Sequence, residues 1–139
     1  MTKLQYHFDD LGVDAMSAAA AAFGQDRYGY VVTPNVDHMI RLHDEPTLRP
    51  LYEDATFITL DSRFLALLLR LVRGTRLQTC PGSDLTQRLL TEVVRPDDKL
   101  LLIGCGLEQA AELRRRYGLR DLRHYNPPMG FIRDPQAVE

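Results

Sequence analysis

Short apolar runs along the chain each give way to a polar turn and then to apolar residues at helical spacing, an alternation that predicts strands feeding helices. Leu4, Tyr6 and Phe8 alternate with Gln5 and His7, as a first strand with one buried face requires, and this points His7 outward. Asp14 is placed to cap a helix over 15–23, where alanines supply high helix propensity and Gly24 the stop. Tyr30-Val31-Val32-Thr33 reads as the next strand. It leads through Pro34 and Asn35 into a helix over 36–43, with Met39, Ile40 and Leu42 in the core, and a further helix over 47–52 follows the Asp44-Glu45-Pro46 break.

The run Thr56-Phe57-Ile58-Thr59-Leu60 is a strand ending in Asp61. In the helix after it, Phe64, Leu65, Leu67, Leu68, Leu69, Leu71 and Val72 are apolar almost all round, so it is either buried on most sides or set against a membrane or partner. Arg63, Arg70 and Arg73 fall on one face. They read as arginines snorkelling from a buried helix or as a basic stripe near lipid phosphates or a diphosphate; the lack of a broad polar face favours the first. Gly74 ends this helix, and Leu77-Gln78-Thr79-Cys80 is expected as a third parallel strand. After Pro81-Gly82, Ser83 or Asp84 caps a helix carrying Leu85, Leu89 and Val93.

After Lys99, Leu100 to Ile103 has the unbroken apolar character of a strand covered on both faces, and it enters Gly104-Cys105-Gly106 and a helix with Leu107, Ala110, Ala111 and Leu113 inward. A last short strand is expected within 119–125; the tail with Pro127, Pro128 and Pro135 adds no regular structure. Strands alternating with helices give an α/β class, a Rossmann-like, mainly parallel sheet flanked by helices, in one domain over 1–139.

Composition narrows the function. With 45% hydrophobic and 26% charged residues the chain is that of an ordinary globular protein. A net charge of -2 disfavours nucleic acid, because neutralising phosphates calls for a basic excess. Cys80 and Cys105 lack metal-ligand spacing and read as small core residues. Few cysteines and no signal-peptide pattern give a cytoplasmic address; no apolar run approaches the ~20 residues that cross a bilayer, so membrane contact would be peripheral, at the inner face of the cell membrane.

Candidate chemistry gathers where strands end. Open α/β sheets bind ligands at the carboxyl ends of their strands, and two strands deliver Thr33, Asn35 and Asp61 there. Against this, Thr33 or Asn35 can simply cap the next helix, and so can Asp61. Gly104-Cys105-Gly106, between a strand and a helix start, can cradle an anion with backbone N–H groups and the helix dipole, although it lacks the full dinucleotide fingerprint and the P-loop lysine. His38 and His43 have no partner at ligand spacing and read as surface or capping residues.

The ordered set Val31-Val32-Thr33-Pro34-Asn35-Val36-Asp37-His38, Pro46-Thr47-Leu48-Arg49, Tyr52-Glu53-Asp54-Ala55, Asp61, Gly82-Ser83-Asp84-Leu85-Thr86, Leu101-Leu102-Ile103-Gly104-Cys105-Gly106 and Pro127-Pro128-Met129-Gly130-Phe131 resembles the WecG/TagA/CpsF glycosyltransferases (glycosyltransferase family 26). The resemblance implies transfer of a sugar, of N-acetylmannosamine type or related, from a UDP-sugar to a polyprenyl-diphosphate-linked saccharide in bacterial surface or exopolysaccharide synthesis. It also implies an inverting displacement with Asp61 as general base, Thr33 and Asn35 orienting substrate, Gly104 to Gly106 holding the diphosphate, and no metal or cofactor. Ser62-Arg63-Phe64 departs from the glycine that most members carry after the aspartate. The family's Gly-x-Pro-x-Gln-Glu segment and basic appendage do not occur before Glu139, so the chain reads as the N-terminal part of such an enzyme, possessing little transfer activity by itself.

A sheet lacking a covering segment also favours a homo-oligomer. The competing reading is a non-catalytic nucleotide-binding or scaffold domain that binds a protein partner. An open reading frame continuing into the Gly-x-Pro-x-Gln-Glu segment separates the two.

Overall fold

The computed structural model describes residues 7–24, 26–131, 134 and 136. Its two compact units, Met1–Val93 and Val94–Glu139, are described separately. The described residues form an α/β structure whose strands pair in parallel, in two two-stranded sheets rather than the one sheet expected.

In the first unit the helices are α1 (Val13–Ala20), α2 (Val36–Asp44), α3 (Arg49–Glu53, preceded by a 3-10 turn over Pro46–Leu48), α4 (Arg63–Arg73) and α5 (Gly82–Glu92). The strands β1 (Val31–Val32) and β2 (Phe57–Ile58) pair Val31 with Phe57 and Val32 with Ile58. Two residues each is all the ladder they form, yet the layering is that of an α/β protein. Phe57 and Val31 join Met16, Cys80 and Leu85 in a core under α1 and α5, whereas Ile58 and Leu60 join Phe8, Leu65 and Leu69 under α2 and α4. Successive strand residues point to opposite faces, so one short pair serves both cores.

The residues expected as a first strand lie mostly outside the described ones; what is described substitutes for strand pairing. Asp9 N–H donates to the Ile58 carbonyl and the Asp9 carboxylate accepts from Ile58 N–H, each at 2.8 Å. The segment 77–80 is not a strand but extended chain that makes one ladder-like bond, Cys80 N–H to the Leu60 carbonyl at 2.8 Å.

Several helix starts differ from the expected ones. α1 begins earlier and ends earlier, behind Gly12, so Asp14 lies in its first turn and pairs instead with Arg88 at 2.7 Å. α5 begins at Gly82 with Pro81 before it, so neither Ser83 nor Asp84 caps it. α4 is capped by Ser62, whose Oγ accepts from Leu65 N–H at 3.3 Å, and Gly74 closes it with φ 68°. Leu42 is buried as expected, but Ile40 is exposed.

The second unit is a β-α-β segment: β3 (Leu100–Ile103), α6 (Leu107–Tyr117) and β4 (Leu122–Tyr125), with Leu100 opposite Leu122 and Ile103 opposite Tyr125. β3 was expected to be covered on both faces. It is not: Leu101 and Ile103 are 63% and 61% exposed while Leu100 and Leu102 are half-buried. The Arg114 guanidinium donates to the Leu122 carbonyl and ties α6 to β4.

Candidate active site

At the carboxyl end of β2 the chain passes through Thr59 and Leu60, both fully buried, before Asp61 turns half-exposed. Asp61 caps nothing in its own helix, because Ser62 holds that position. Its Oδ1 accepts from Gly82 N–H at 2.9 Å, which places the carboxylate at the start of α5. That N–H is one of the donors a helix leaves unpaired, and the helix dipole favours a negative charge there. Oδ2 makes no hydrogen bond among the described residues.

Thr33, at the carboxyl end of β1, reaches the same junction. A Cβ placed on Gly82 would meet Thr33 Oγ1 at 2.7 Å and Thr33 Cβ at 3.5 Å, so the glycine is what lets the hydroxyl lie against the backbone of α5. Two parallel strand ends and one helix start thus bring Thr33, Asp61 and Gly82 together. Of the three, Gly82 is read from the sequence as a turn and motif residue but not as a member of the site. Its pairing with Asp61 spans twenty-one residues with no local pattern to mark it.

Asn35 has the structural role that competed for it. Its Oδ1 accepts from His38 N–H at 3.1 Å, and its own N–H meets His38 Nδ1 at 3.3 Å, a reciprocal cap on α2. The Asn35 side-chain NH2 makes no hydrogen bond among the described residues. His38 is accordingly the capping residue expected.

Beneath Asp61, burial pushes the Cys80 thiol up; Asp61 and Asp84 push the same way and the Thr59 hydroxyl opposes them. A buried protonated thiol is chemically quiet. Among the described residues Thr59 Oγ1 has no hydrogen-bond partner in this packed layer, where the Cys80 thiol is its polar neighbour.

In the second unit, Gly104-Cys105-Gly106 forms the turn between β3 and α6. Gly104 has φ 91° and Cys105 φ 57°, a left-handed conformation that strains a residue with a Cβ. Gly104 N–H continues the ladder to the Tyr125 carbonyl at 2.8 Å, and Gly106 N–H donates to Gln109 Oε1 at 2.9 Å. His124 braces the turn: Nε2 lies 2.9 Å from the Gly104 carbonyl and 3.2 Å from that of Cys105, so Nε2 carries the proton. Of the donors expected at this helix start, the one on Gly106 is occupied by Gln109. Cys105, read from sequence as core, is exposed.

The family described as Glycosyl transferase WecG/TagA/CpsF family matches residues 1–139. No curated protein and no solved structure matches the chain.

Proposed function

Since the chain belongs to the WecG/TagA/CpsF glycosyltransferase family, we propose that it transfers a sugar, of N-acetylmannosamine type or related, from a UDP-sugar to a polyprenyl-diphosphate-linked saccharide during synthesis of a bacterial surface polymer. The observation that carries this reading is the meeting of Thr33, Asp61 and Gly82 at two strand ends. One Asp61 oxygen is held by a backbone N–H and the other makes no hydrogen bond among the described residues, an arrangement that fixes a carboxylate while leaving it able to take a proton.

In the proposed step the Asp61 carboxylate removes the proton of the acceptor hydroxyl as its oxygen attacks the anomeric carbon. The bond to UDP breaks on the opposite face, and both bonding electrons leave with UDP. Inversion at the anomeric carbon follows. Thr33 and the amide of Asn35 orient the acceptor and donor. Gly104, Cys105 and Gly106 are assigned the diphosphate, with a phosphate oxygen replacing Gln109 on Gly106 N–H. No metal or cofactor enters the step; backbone dipoles and arginines meet the charge on the leaving group. The test is a panel of UDP-sugars offered to the full-length protein. Saturable binding of one of them, with UDP release when acceptor is added, is the result expected. Nucleotide binding without release with any acceptor would favour a non-catalytic binding domain.

Three further outcomes follow. Gly82→Ala adds a residue with better helix propensity but sets its methyl against Thr33, so the fold should persist while turnover falls ~10-fold through displacement of the threonine. A thermal melt alongside initial rates separates these effects, and a rate equal to the parent's removes Thr33 from the site. Gly106→Val crowds Gln109 and the turn, and should weaken UDP binding about 10-fold by calorimetry. Unchanged affinity in the folded variant moves the diphosphate elsewhere. Finally, with Leu101 and Ile103 exposed on β3, self-association is expected. Light scattering that gives a monomer across a wide concentration range counts against it.

A further inference from the structure

The helix expected to be buried is not. On α4 Leu65 and Leu69 are buried and Ala66 packs against the same core, whereas Phe64, Leu67, Leu68, Leu71 and Val72 are 65%, 52%, 43%, 75% and 70% exposed. At 3.6 residues per turn the five exposed positions cover roughly 140° of the surface of α4, and Arg63, Arg70 and Arg73 fall within roughly 80° along one border of that face. All three arginines are exposed. From Ser62 to Ser83 the chain has four arginines and no aspartate or glutamate, although the net charge of the whole is -2. The positive charge is therefore local to this helix and its exit.

From this we infer that α4 is a docking surface for an anionic lipid bilayer, with Phe64, Leu67 and Leu71 entering the boundary between headgroups and acyl chains and Arg63 and Arg70 meeting lipid phosphates. Eleven residues make a helix about 16 Å long, suited to lying in the interface and too short to cross it. Among the described residues no helix is long and apolar enough to span a membrane. Charge selects lipid over a second copy of the chain. A two-fold interface through this face would set arginines near arginines, and the segment has no carboxylate to answer them. Leaving such an apolar face to water is costly, whereas an anionic surface satisfies both of its halves at once.

The surface stands on the helix alone. Its use is a separate matter that rests on the transferase reading: Asp61 immediately precedes the Ser62 cap, so docking of α4 would bring the carboxylate to the headgroup level at which a polyprenyl diphosphate presents its saccharide.

The test reads binding without turnover, so the two can fail separately. The chain has no tryptophan, and Phe64→Trp therefore supplies a single reporter on the exposed face. With phosphatidylglycerol vesicles its emission should shift to the blue and the protein should sediment with the lipid; with phosphatidylcholine vesicles both effects should be weak. Arg63→Gln and Arg70→Gln should each weaken binding to phosphatidylglycerol about 5-fold. The double variant Leu67→Gln/Leu71→Gln, which alters exposed positions and keeps good helix formers, should weaken it ~100-fold with an unchanged circular dichroism spectrum. Binding by the double variant equal to the parent's, equal binding to both lipids, or no binding by the parent overturns the proposal. So does an oligomer, without vesicles, that the double variant converts to monomer, because a second copy would then be what covers the face.

Discussion

Asp61→Asn is expected to lower turnover of the full-length protein by ~10²-fold or more, with the melting temperature and the affinity for the UDP-sugar nearly unchanged. The reason lies in what each oxygen of Asp61 does. Asparagine retains an Oδ1 that can accept from Gly82 N–H, so the tie between the end of β2 and the start of α5 survives. It loses some favourable charge at that helix start, worth up to about 1 kcal/mol. What asparagine cannot do is accept the acceptor's proton. Asp61→Ala loses the tie as well, and should add about 1–2 kcal/mol of destabilisation to the loss of rate. The pair of variants separates chemistry from architecture, using rates at saturating substrate and a denaturant melt. An Asn variant within a few-fold of the parent would leave Asp61 with only the structural role visible at Gly82.

The residue beside it should behave in the opposite way. Leu60 is wholly buried against Phe8, Leu65 and Leu69, and its carbonyl accepts from Cys80 N–H. Leu60→Ala removes several buried methyl and methylene groups and leaves a cavity beneath β2, so a loss of about 2–5 kcal/mol is expected. Against a typical total stability of about 5–15 kcal/mol this is a large fraction, and the melting temperature should fall by roughly 10 °C. At temperatures where the variant is still folded, turnover should stay within a few-fold of the parent. A melt that barely moves would mean that β2 does not anchor this core.

Much of the architecture was legible because periodicity reports burial. The α4, α5 and α6 segments and the strands around 31, 57, 100 and 122 follow from apolar spacing and turn residues. The extent of the strands was not legible. The β-branched runs over 30–33 and 56–60 predict four or five extended residues, but a ladder needs a partner at each position, and β1 and β2 share only two. Helix starts were misplaced where a capping residue was inferred from type alone: Asp14, Ser83 and Asp84 all have the chemistry of a cap, yet the backbone turned before them.

The site shows the same limit. Thr33 and Asp61 were singled out because polar groups ended apolar runs, and the structure brings them together; Gly82, the third member, is visible in sequence as a turn and motif glycine, but nothing there shows that its N–H meets Asp61 or that Thr33 lies against it. His124 was missed for a similar reason, since its ring bonds carbonyls twenty residues away. The exposed face of α4 was read the wrong way round. Hydrophobic residues on all sides of a helix are consistent with burial and with an apolar partner alike, and only the fractional exposures separate the two.

The most direct measurement of the proposed chemistry is the anomeric configuration of the transferred sugar, followed by proton NMR as the full-length protein consumes an α-linked UDP-sugar in the presence of a polyprenyl-diphosphate-linked saccharide. A single displacement driven by Asp61 predicts a β-linked product with one UDP released for each sugar transferred, and none of either from the Asp61→Asn protein on the same timescale. An α-linked product, or transfer by the Asn variant at the parent's rate, would contradict it.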